Sequence, residues 1–307
     1  MRIAVLGSPQ SWYFRDLQRA ADGQHLLIAL PFSSVSARLD KGRQSIWAGN
    51  QRLDSFDAVL VRTMPPGSLE QVVFRMDLLA QLERQGVPVI NPPRAIEIAV
   101  DKYLSLSCLQ NAGLAIPATI VCQSTEAAMQ AFEELGGDVV LKPIFGGEGR
   151  GISRLEDADV ALRAFKALTG LAAVIYLQQF IPQPGFDTRV LLLGDQAFAI
   201  RRHVADDWRS NLSRGATAEP IPVDPDSLLL AQQAAAATGA LIAGVDLIQA
   251  ADGTPLVLEV NGVPGWRGLA AAHQVDVADL LLDWIDRWLH DEAESPLTVV
   301  DTSGAAQ

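Results

Sequence analysis

Residues 244–265 read GVDLIQAADGTPLVLEVNGVPG, two β-prone runs (245–250 and 255–260) either side of Asp252-Gly253. Asp-Gly suits a tight hairpin turn, because both residues tolerate the backbone angles the turn needs. A two-residue loop there sets position 251 opposite 254 and, counting back, Asp246 opposite Glu259. Asn261 lies two residues beyond Glu259 and shares its face. Like charges directly opposed across a sheet are destabilising, and a divalent cation between them reverses that penalty. Two carboxylates and an amide oxygen, with positions left for phosphate oxygens and water, suit Mg2+. A surface hairpin with solvated acids is the alternative, and the spacing alone leaves both open.

The rest of the chain bounds the setting. Its 307 residues suffice for two or three domains with real cores. The opening MRIAVLGSPQSWYF lacks a basic lead and a continuous apolar block, so it reads as a first strand. No apolar run reaches the length of a membrane span. Cys108 and Cys122 support neither a disulfide framework nor a zinc site. A cytoplasmic location is expected. The net charge of −12 argues against general nucleic-acid or anionic-membrane binding. Against it, Arg189, Arg201, Arg202, Arg209 and Arg214 fall within 26 residues. That island is either a solvated basic face or a site for anions, since guanidinium forks match phosphate and carboxylate oxygens.

Strand and helix patterns alternate over the first ninety residues, the rhythm of an open parallel sheet. A small hairpin arm is expected at 45–53, and Asn91-Pro92-Pro93 marks a boundary. Residues 94–112 read as helix, and strands at 139–143 and 151–155 flank a glycine loop. Strands dominate after 175, apart from a helix at 225–239. An amphipathic helix at 277–290 closes the fold, and the tail from 291 reads as disordered. The expected units are 1–93, 94–176, 177–290 and the tail 291–307.

Lysine is scarce: Lys41, Lys102, Lys142 and Lys166 are all the chain has. Lys142 ends the apolar run 139–141, just before Gly146-Gly147-Glu148-Gly149-Arg150-Gly151. A lysine leaving a strand presents a point charge to phosphates, and glycines let backbone amides approach them. Alone, that loop reads equally as an ordinary flexible turn, and Lys102 as a solvated helix residue. Their order changes this. Asp101-Lys102, Val140-Leu141-Lys142 with its loop, residues 177–181 (LQQFI), Asp187-Thr188-Arg189, Arg209-Ser210-Asn211-Leu212, Gly244-Val245-Asp246 and Glu259-Val260-Asn261 follow one another along the chain. This series resembles the ATP-grasp superfamily, and more closely its RimK-like branch of glutamate ligases, over about residues 1–290.

The resemblance implies an α/β (α+β) ATP-grasp fold, with an N-terminal βαβ domain, a central lid domain and a C-terminal antiparallel-sheet domain. It implies ATP and Mg2+ or Mn2+ as cofactors, and a carboxylate activated as acyl phosphate before an amine displaces phosphate. Lys102 and Lys142 match the phosphate-contacting lysines, and Gln179, Phe180 and Ile181 the hinge whose backbone meets adenine. Gln179 departs from the family's usual glutamate, which puts nucleotide selectivity in question. Asp187 matches the acid near the ribose, Arg209, Ser210 and Asn211 a further nucleotide run, and Asp246, Glu259 and Asn261 the metal ligands. By position, Arg202 contacts the transferred phosphoryl group, acting with Lys142 as the catalytic pair, while Arg189, Arg201 and Arg214 hold substrate carboxylates. Arg62, ending the strand at 57–61, faces the acceptor. Trp12, Tyr13, Phe14 and Trp266 line an aromatic slot or are ordinary core. The branch favours glutamate as the amine. The expected acceptor is a small molecule of the tetrahydromethanopterin type, with a protein tail, a carrier protein or a non-catalytic ATP-binding role as alternatives. No nucleic-acid or membrane partner is expected, and a homo-oligomer is left open.

Overall fold

The computed structural model describes residues 1–147, 149–203 and 217–294. The N-terminal sheet is parallel, in the order β2-β1-β6-β7, built from β1 (Arg2–Leu6), β2 (Leu26–Leu30), β6 (Ala58–Val61) and β7 (Val89–Ile90). Between β2 and β6 lies a three-stranded antiparallel arm, β3 (Val35–Asp40), β4 (Arg43–Ala48) and β5 (Gln51–Arg52). The sequence showed only its second half: β3 alternates apolar and polar residues, but it is short and largely exposed.

Helix α1 (Trp12–Ala21) starts at Ser11, whose hydroxyl accepts from the Phe14 N–H (3.0 Å). Helix α2 (Leu69–Arg84) starts with a reciprocal Ser68/Gln71 capping box. One face of the parallel sheet (Ala4, Leu6, Val59, Val61) buries against Met76, Leu79 and Leu82 of α2. The other (Ile3, Val5, Ala58, Leu60) buries against α1 and residues near the C-terminus.

The sequence suggests one helix over 94–112, but the chain forms two: α3 (Pro93–Val100) and α4 (Lys102–Asn111). Asp101 is extended (φ −96°, ψ 104°), and its Oδ1 accepts from the Leu104 N–H (3.0 Å). Its carboxylate therefore caps a new helix and makes Lys102 the first residue of that helix. Next come β8 (Thr119–Cys122), α5 (Thr125–Glu134), β9 (Val139–Lys142), β10 (Ser153–Leu155), α6 (Ala158–Gly170) and β11 (Ile175–Gln179). Their strands form an antiparallel sheet ordered β10-β9-β11-β8, packed on α5 and α6.

The C-terminal sheet is antiparallel, ordered β14-β13-β12-β15-β16. Its strands are β12 (Phe186–Leu193), β13 (Gln196–His203), β14 (Thr217–Ile221), β15 (Ile242–Gln249) and β16 (Pro255–Asn261). Helix α7 (Pro225–Thr238) precedes β15, and α8 (Arg267–His273) and α9 (Val277–Glu294) follow β16. Helix α9 runs past His290, correcting the expectation that order stops there; the tail from 295 lies outside the described residues.

The two faces of this sheet have different neighbours. Val190, Leu192, Val245 and Val260 pack on Leu106 and Leu109 of α4 and on the alanines of α7. On the other face, Leu191, Leu193, Ile200 and Ile242 pack on the N-terminal sheet and α9. That second face, continued along the strands, carries Asp187, Arg189 and Asp246. The charged site thus lies next to the seam between the N- and C-terminal units.

Asn91 fastens that seam. Its amide Nδ2 donates to the carbonyls of Ile242 (2.7 Å) and Gly262 (2.5 Å), and its Oδ1 accepts from the N–H groups of Leu241 (2.8 Å) and Ile242 (2.9 Å). One buried side chain satisfies four backbone groups at both ends of the β15–β16 hairpin.

The β12–β13 turn is also tightly set. Gly194 has φ +58°, and a Cβ there would lie 1.9 Å from Trp284 Nε1. Gly194→Ala should lower stability by roughly 3 kcal/mol or more, from left-handed strain plus overpacking. Thermal unfolding measures it; an unchanged melting temperature would mean that Trp284 does not seal this turn.

Candidate functional site

The β15–β16 hairpin places Asp246 opposite Glu259, as the spacing suggests, but by a different route. The loop has five residues rather than two, closed by Ala250 N–H to Thr254 O (2.9 Å) and Gly253 N–H to Ala250 O (2.9 Å). That shifts the register by one, and a bulge between the Leu247–Val257 and Asp246–Glu259 pairs restores it, leaving Leu258 as the extra residue. Gly244 faces Asn261, so Glu259 and Asn261 share the face of Asp246.

Asp246 is buried and paired. Arg189 opposes it across β12–β15, donating from Nε to Oδ1 (2.6 Å) and from Nη2 to Oδ2 (2.7 Å). Arg202 donates from Nη2 to the same Oδ2 (2.8 Å) and makes a fork to Asp187, from Nε to Oδ1 (2.7 Å) and from Nη2 to Oδ2 (2.5 Å). Two acids and two arginines thus form a neutral, nearly sealed cluster across three strands. Burial alone would raise the Asp246 carboxyl, but attraction and hydrogen bonds from Arg189 and Arg202 outweigh it and hold the group below the usual carboxylate range. Burial would lower the Arg202 guanidinium, and Asp246 and Asp187 more than compensate, raising it.

Lys142 and Lys102 line one narrow cleft. Ala99, Ser105, Leu106, Tyr176, Leu258 and Glu259 complete its lining. Lys142 Nζ donates to Gln178 Oε1 (2.5 Å), and the Gln178 amide nitrogen donates to Thr119 Oγ1 (3.0 Å). Burial pushes the Lys142 amine down to about 8; Glu259 opposes this, Lys102 adds to it, and Asp246 opposes it again. Lys102 Nζ donates to the Gly146 carbonyl in the glycine loop (2.6 Å), and its backbone N–H to Ile144 O (3.2 Å). Burial lowers the Lys102 amine too, against the attraction of Glu259 and Asp101.

Lys142 has a pH consequence. Its amine titrates near 8 in the folded chain against 10.5 when unperturbed. Between those values the unfolded chain binds more protons, so the Lys142 contribution makes stability rise with pH across that window. Below pH 8 the half-buried charge is a full penalty. Lys142→Met should therefore melt above wild type at pH 7, with the gap closing towards pH 10. A gap constant with pH would show that the amine is not strained.

The hinge residues are partly engaged. Gln179 N–H donates to Ala118 O (2.8 Å) and Phe180 N–H to Asp138 O (3.1 Å). The guanidinium of Arg154 stacks on Phe180 (3.7 Å to the ring centre) and forks onto Asp138, at 2.8 and 2.7 Å. The sequence assigned nothing to Arg154, Asp138 or Gln178. A glutamine in the apolar run of β11 was the one available signal.

The other expected site residues have the following surroundings. Arg201 is exposed, on the face opposite Arg202, with its guanidinium 4.9 Å from the Phe186 ring centre. Arg202 is 2% exposed and committed to two carboxylates, so in this state it is not free to meet a phosphoryl group. Arg62 donates from Nη2 to Pro264 O (2.7 Å) and lies against Tyr13 and Trp266. Trp266 is core, 2% exposed, with its indole N–H on Asp16 Oδ2 (2.9 Å), and Phe14 is core as well. Arg209, Ser210, Asn211 and Arg214 lie outside the described residues.

The acidic set suits a hard cation. The Glu259 carboxylate makes no hydrogen bond or ion pair among the described residues. Among the described residues Asn261 Oδ1 accepts only from the Val263 N–H (2.9 Å). Among the described residues Asp246 uses three of about four lone-pair sites, leaving one on Oδ1. Among the described residues no group of three His, Cys, Asp or Glu side chains could hold a metal.

Known proteins match along almost the whole chain. The RimK-like ATP-grasp domain matches residues 99–285 and the RimK PreATP-grasp domain residues 1–96. Tetrahydromethanopterin:alpha-L-glutamate ligase of Methanosarcina acetivorans is 31% identical over 319 residues, covering 93% of this chain and 98% of that one. Ribosomal protein bS6–L-glutamate ligase of Salmonella paratyphi B is 34% identical over 293 residues, covering 94% and 96%. The crystal structure of a RimK domain ATP-grasp protein from Sphaerobacter thermophilus matches with a TM-score of 0.73 at 26% identity, covering 92% and 99%. With two domain matches that together cover residues 1–96 and 99–285 and relatives above 30% identity over more than nine-tenths of its length, the chain belongs to the RimK-like ATP-grasp family and is an ATP-dependent ligase.

Proposed function

We propose that the cleft holds ATP and that the enzyme joins L-glutamate to the carboxylate of a small-molecule acceptor of the tetrahydromethanopterin type. The observation that carries this reading is the convergence of Lys102, Lys142 and Glu259 on one cleft beside Asp246. Two amines whose charge burial disfavours are waiting for an anion, and a triphosphate supplies it.

In this reading an acceptor carboxylate oxygen attacks the γ-phosphorus, and ADP leaves. The glutamate nitrogen then adds to the acyl carbon, the tetrahedral adduct expels phosphate, and the nitrogen loses its proton. No protein nucleophile takes part, so catalysis is positioning and charge stabilisation. Lys102 and Lys142 offset phosphate charge, and Gln178 aims the Lys142 amine. Asp246, Glu259 and Asn261 would hold Mg2+, which when bound neutralises phosphate oxygens. Arg202 and Arg189 fix the Asp246 carboxylate, making Arg202 a positioning residue rather than a direct phosphoryl contact.

With the Gln179 and Phe180 N–H groups engaged, the backbone contact to adenine falls to the hinge carbonyls and to Ile181. Asp187 is assigned to the ribose side. Arg209, Ser210, Asn211 and Arg214 keep their nucleotide and substrate roles on sequence grounds. Arg62 orders the turn after Asn261 through Pro264 and in this way shapes the acceptor side.

A protein tail is the second reading, favoured by the 34% identity to the bS6 ligase. Incubation with ATP, Mg2+, glutamate and either pterin acceptors or acidic peptide tails, read by mass spectrometry, separates the two. A glutamyl residue added to a pterin supports the first; addition to peptides alone overturns it. No described helix is long and apolar enough to cross a membrane.

A further inference from the structure

Ser105 lies three residues after Lys102 on α4 and therefore on the same helix face. It is 4% exposed and lines the cleft with Lys102, Lys142 and Glu259. Its backbone N–H donates to Asp101 O (2.8 Å), as the helix requires. Its hydroxyl, however, is buried with no hydrogen-bond partner among the described residues. A buried hydroxyl without a partner is unfavourable, and folded proteins seldom keep one without a reason. Its lining neighbours Ala99, Leu106 and Leu258 are apolar and offer it nothing. Alanine would fill the same place without the penalty. Gln85 Oε1 and Arg62 Nε are also buried without partners, but neither residue lines this cleft.

We propose that Ser105 is a nucleotide-binding residue whose Oγ–H donates to a phosphate oxygen of the bound nucleoside triphosphate, beside the amines of Lys102 and Lys142. This rests on the reading of the cleft as the ATP site. The helix start at Asp101 then has a double purpose: it sets Lys102 at the cleft edge and, one turn on, Ser105 at its wall. A neutral donor between two cations adds direction without adding repulsion.

The test is Ser105→Ala, with two readouts on the full-length protein. One is the melting temperature without nucleotide. The other is the affinity for a non-hydrolysable ATP analogue with Mg2+, by calorimetry. The melting temperature should stay the same or rise, because the orphaned hydroxyl is gone. The dissociation constant should rise about tenfold, as expected for one hydrogen bond to a charged group. Glutamate KM should not change. Unchanged nucleotide affinity would overturn the assignment, and so would weaker binding accompanied by a lower melting temperature, which would mark Ser105 as structural. If wild type itself fails to bind the analogue, the ATP-site reading falls and Ser105 with it. If wild type binds and Ser105→Ala binds equally, only Ser105 is wrong.

Discussion

Glu259→Gln should lower ATP-dependent ligation by about 10³-fold while leaving the protein about as stable as wild type. The separation of the two effects follows from the geometry. Glu259 faces the buried Asp246 across the hairpin, and its carboxylate makes no hydrogen bond or ion pair among the described residues. Removing its charge breaks no hydrogen bond or ion pair among the described residues and costs only its longer-range attraction for the two cleft lysines. Its carboxylate also supports the charged form of both cleft lysines, so glutamine in its place should push Lys142 further towards neutrality and weaken nucleotide binding at pH 7. Steady-state rates together with thermal unfolding measure both. Stability lost in step with activity would show that Glu259 is a packing residue after all.

Asp246→Asn should behave differently, losing activity and about 3–5 kcal/mol of stability together. Asp246 compensates two buried guanidinium groups through three short hydrogen bonds. Without its charge the cluster with Arg189, Arg202 and Asp187 carries a net positive charge in a sealed place. Denaturant titration, compared with Glu259→Gln, measures the difference. Equal stabilities for the two variants would mean that the cluster is solvated. The pairing also gives Asp246 one free lone-pair site for a cation, so the structural and metal-binding roles are compatible in the same carboxylate.

The parallel sheet was legible because its strands are short apolar runs, β6 among them, and because Asn91-Pro92-Pro93 interrupts the pattern. Asn91 also looked like mere punctuation, and its four buried hydrogen bonds reach partners 150 or more residues away. The Asp246–Glu259 pair was reached through two offsetting differences, a longer loop and a bulge at Leu258, and a bulge without glycine leaves little trace in sequence. The break at Asp101 was hidden because an acid inside a helical pattern reads as a solvated position. Strand β14 was missed because Pro220 interrupts a half-exposed edge.

Local runs identified which side chains carry charge, but not whom they face. The pairing of Arg202 with Asp187 and of Arg189 with Asp246 depends on the register of β12 with two other strands. The opposite exposures of Arg201 and Arg202 depend on the same register. Gln178 and Ser105 have no charge to draw attention, and their importance appears only when the cleft is assembled.

Oxygen transfer tests most directly whether this site activates a carboxylate by phosphorylation. The acceptor carboxylate is labelled with ¹⁸O, ligation is run with ATP, Mg2+ and glutamate, and the released phosphate is examined by ³¹P NMR. One ¹⁸O per phosphate, with ADP as co-product, is the expected result. Label appearing in AMP, or phosphate released without label while the amide forms, would contradict it.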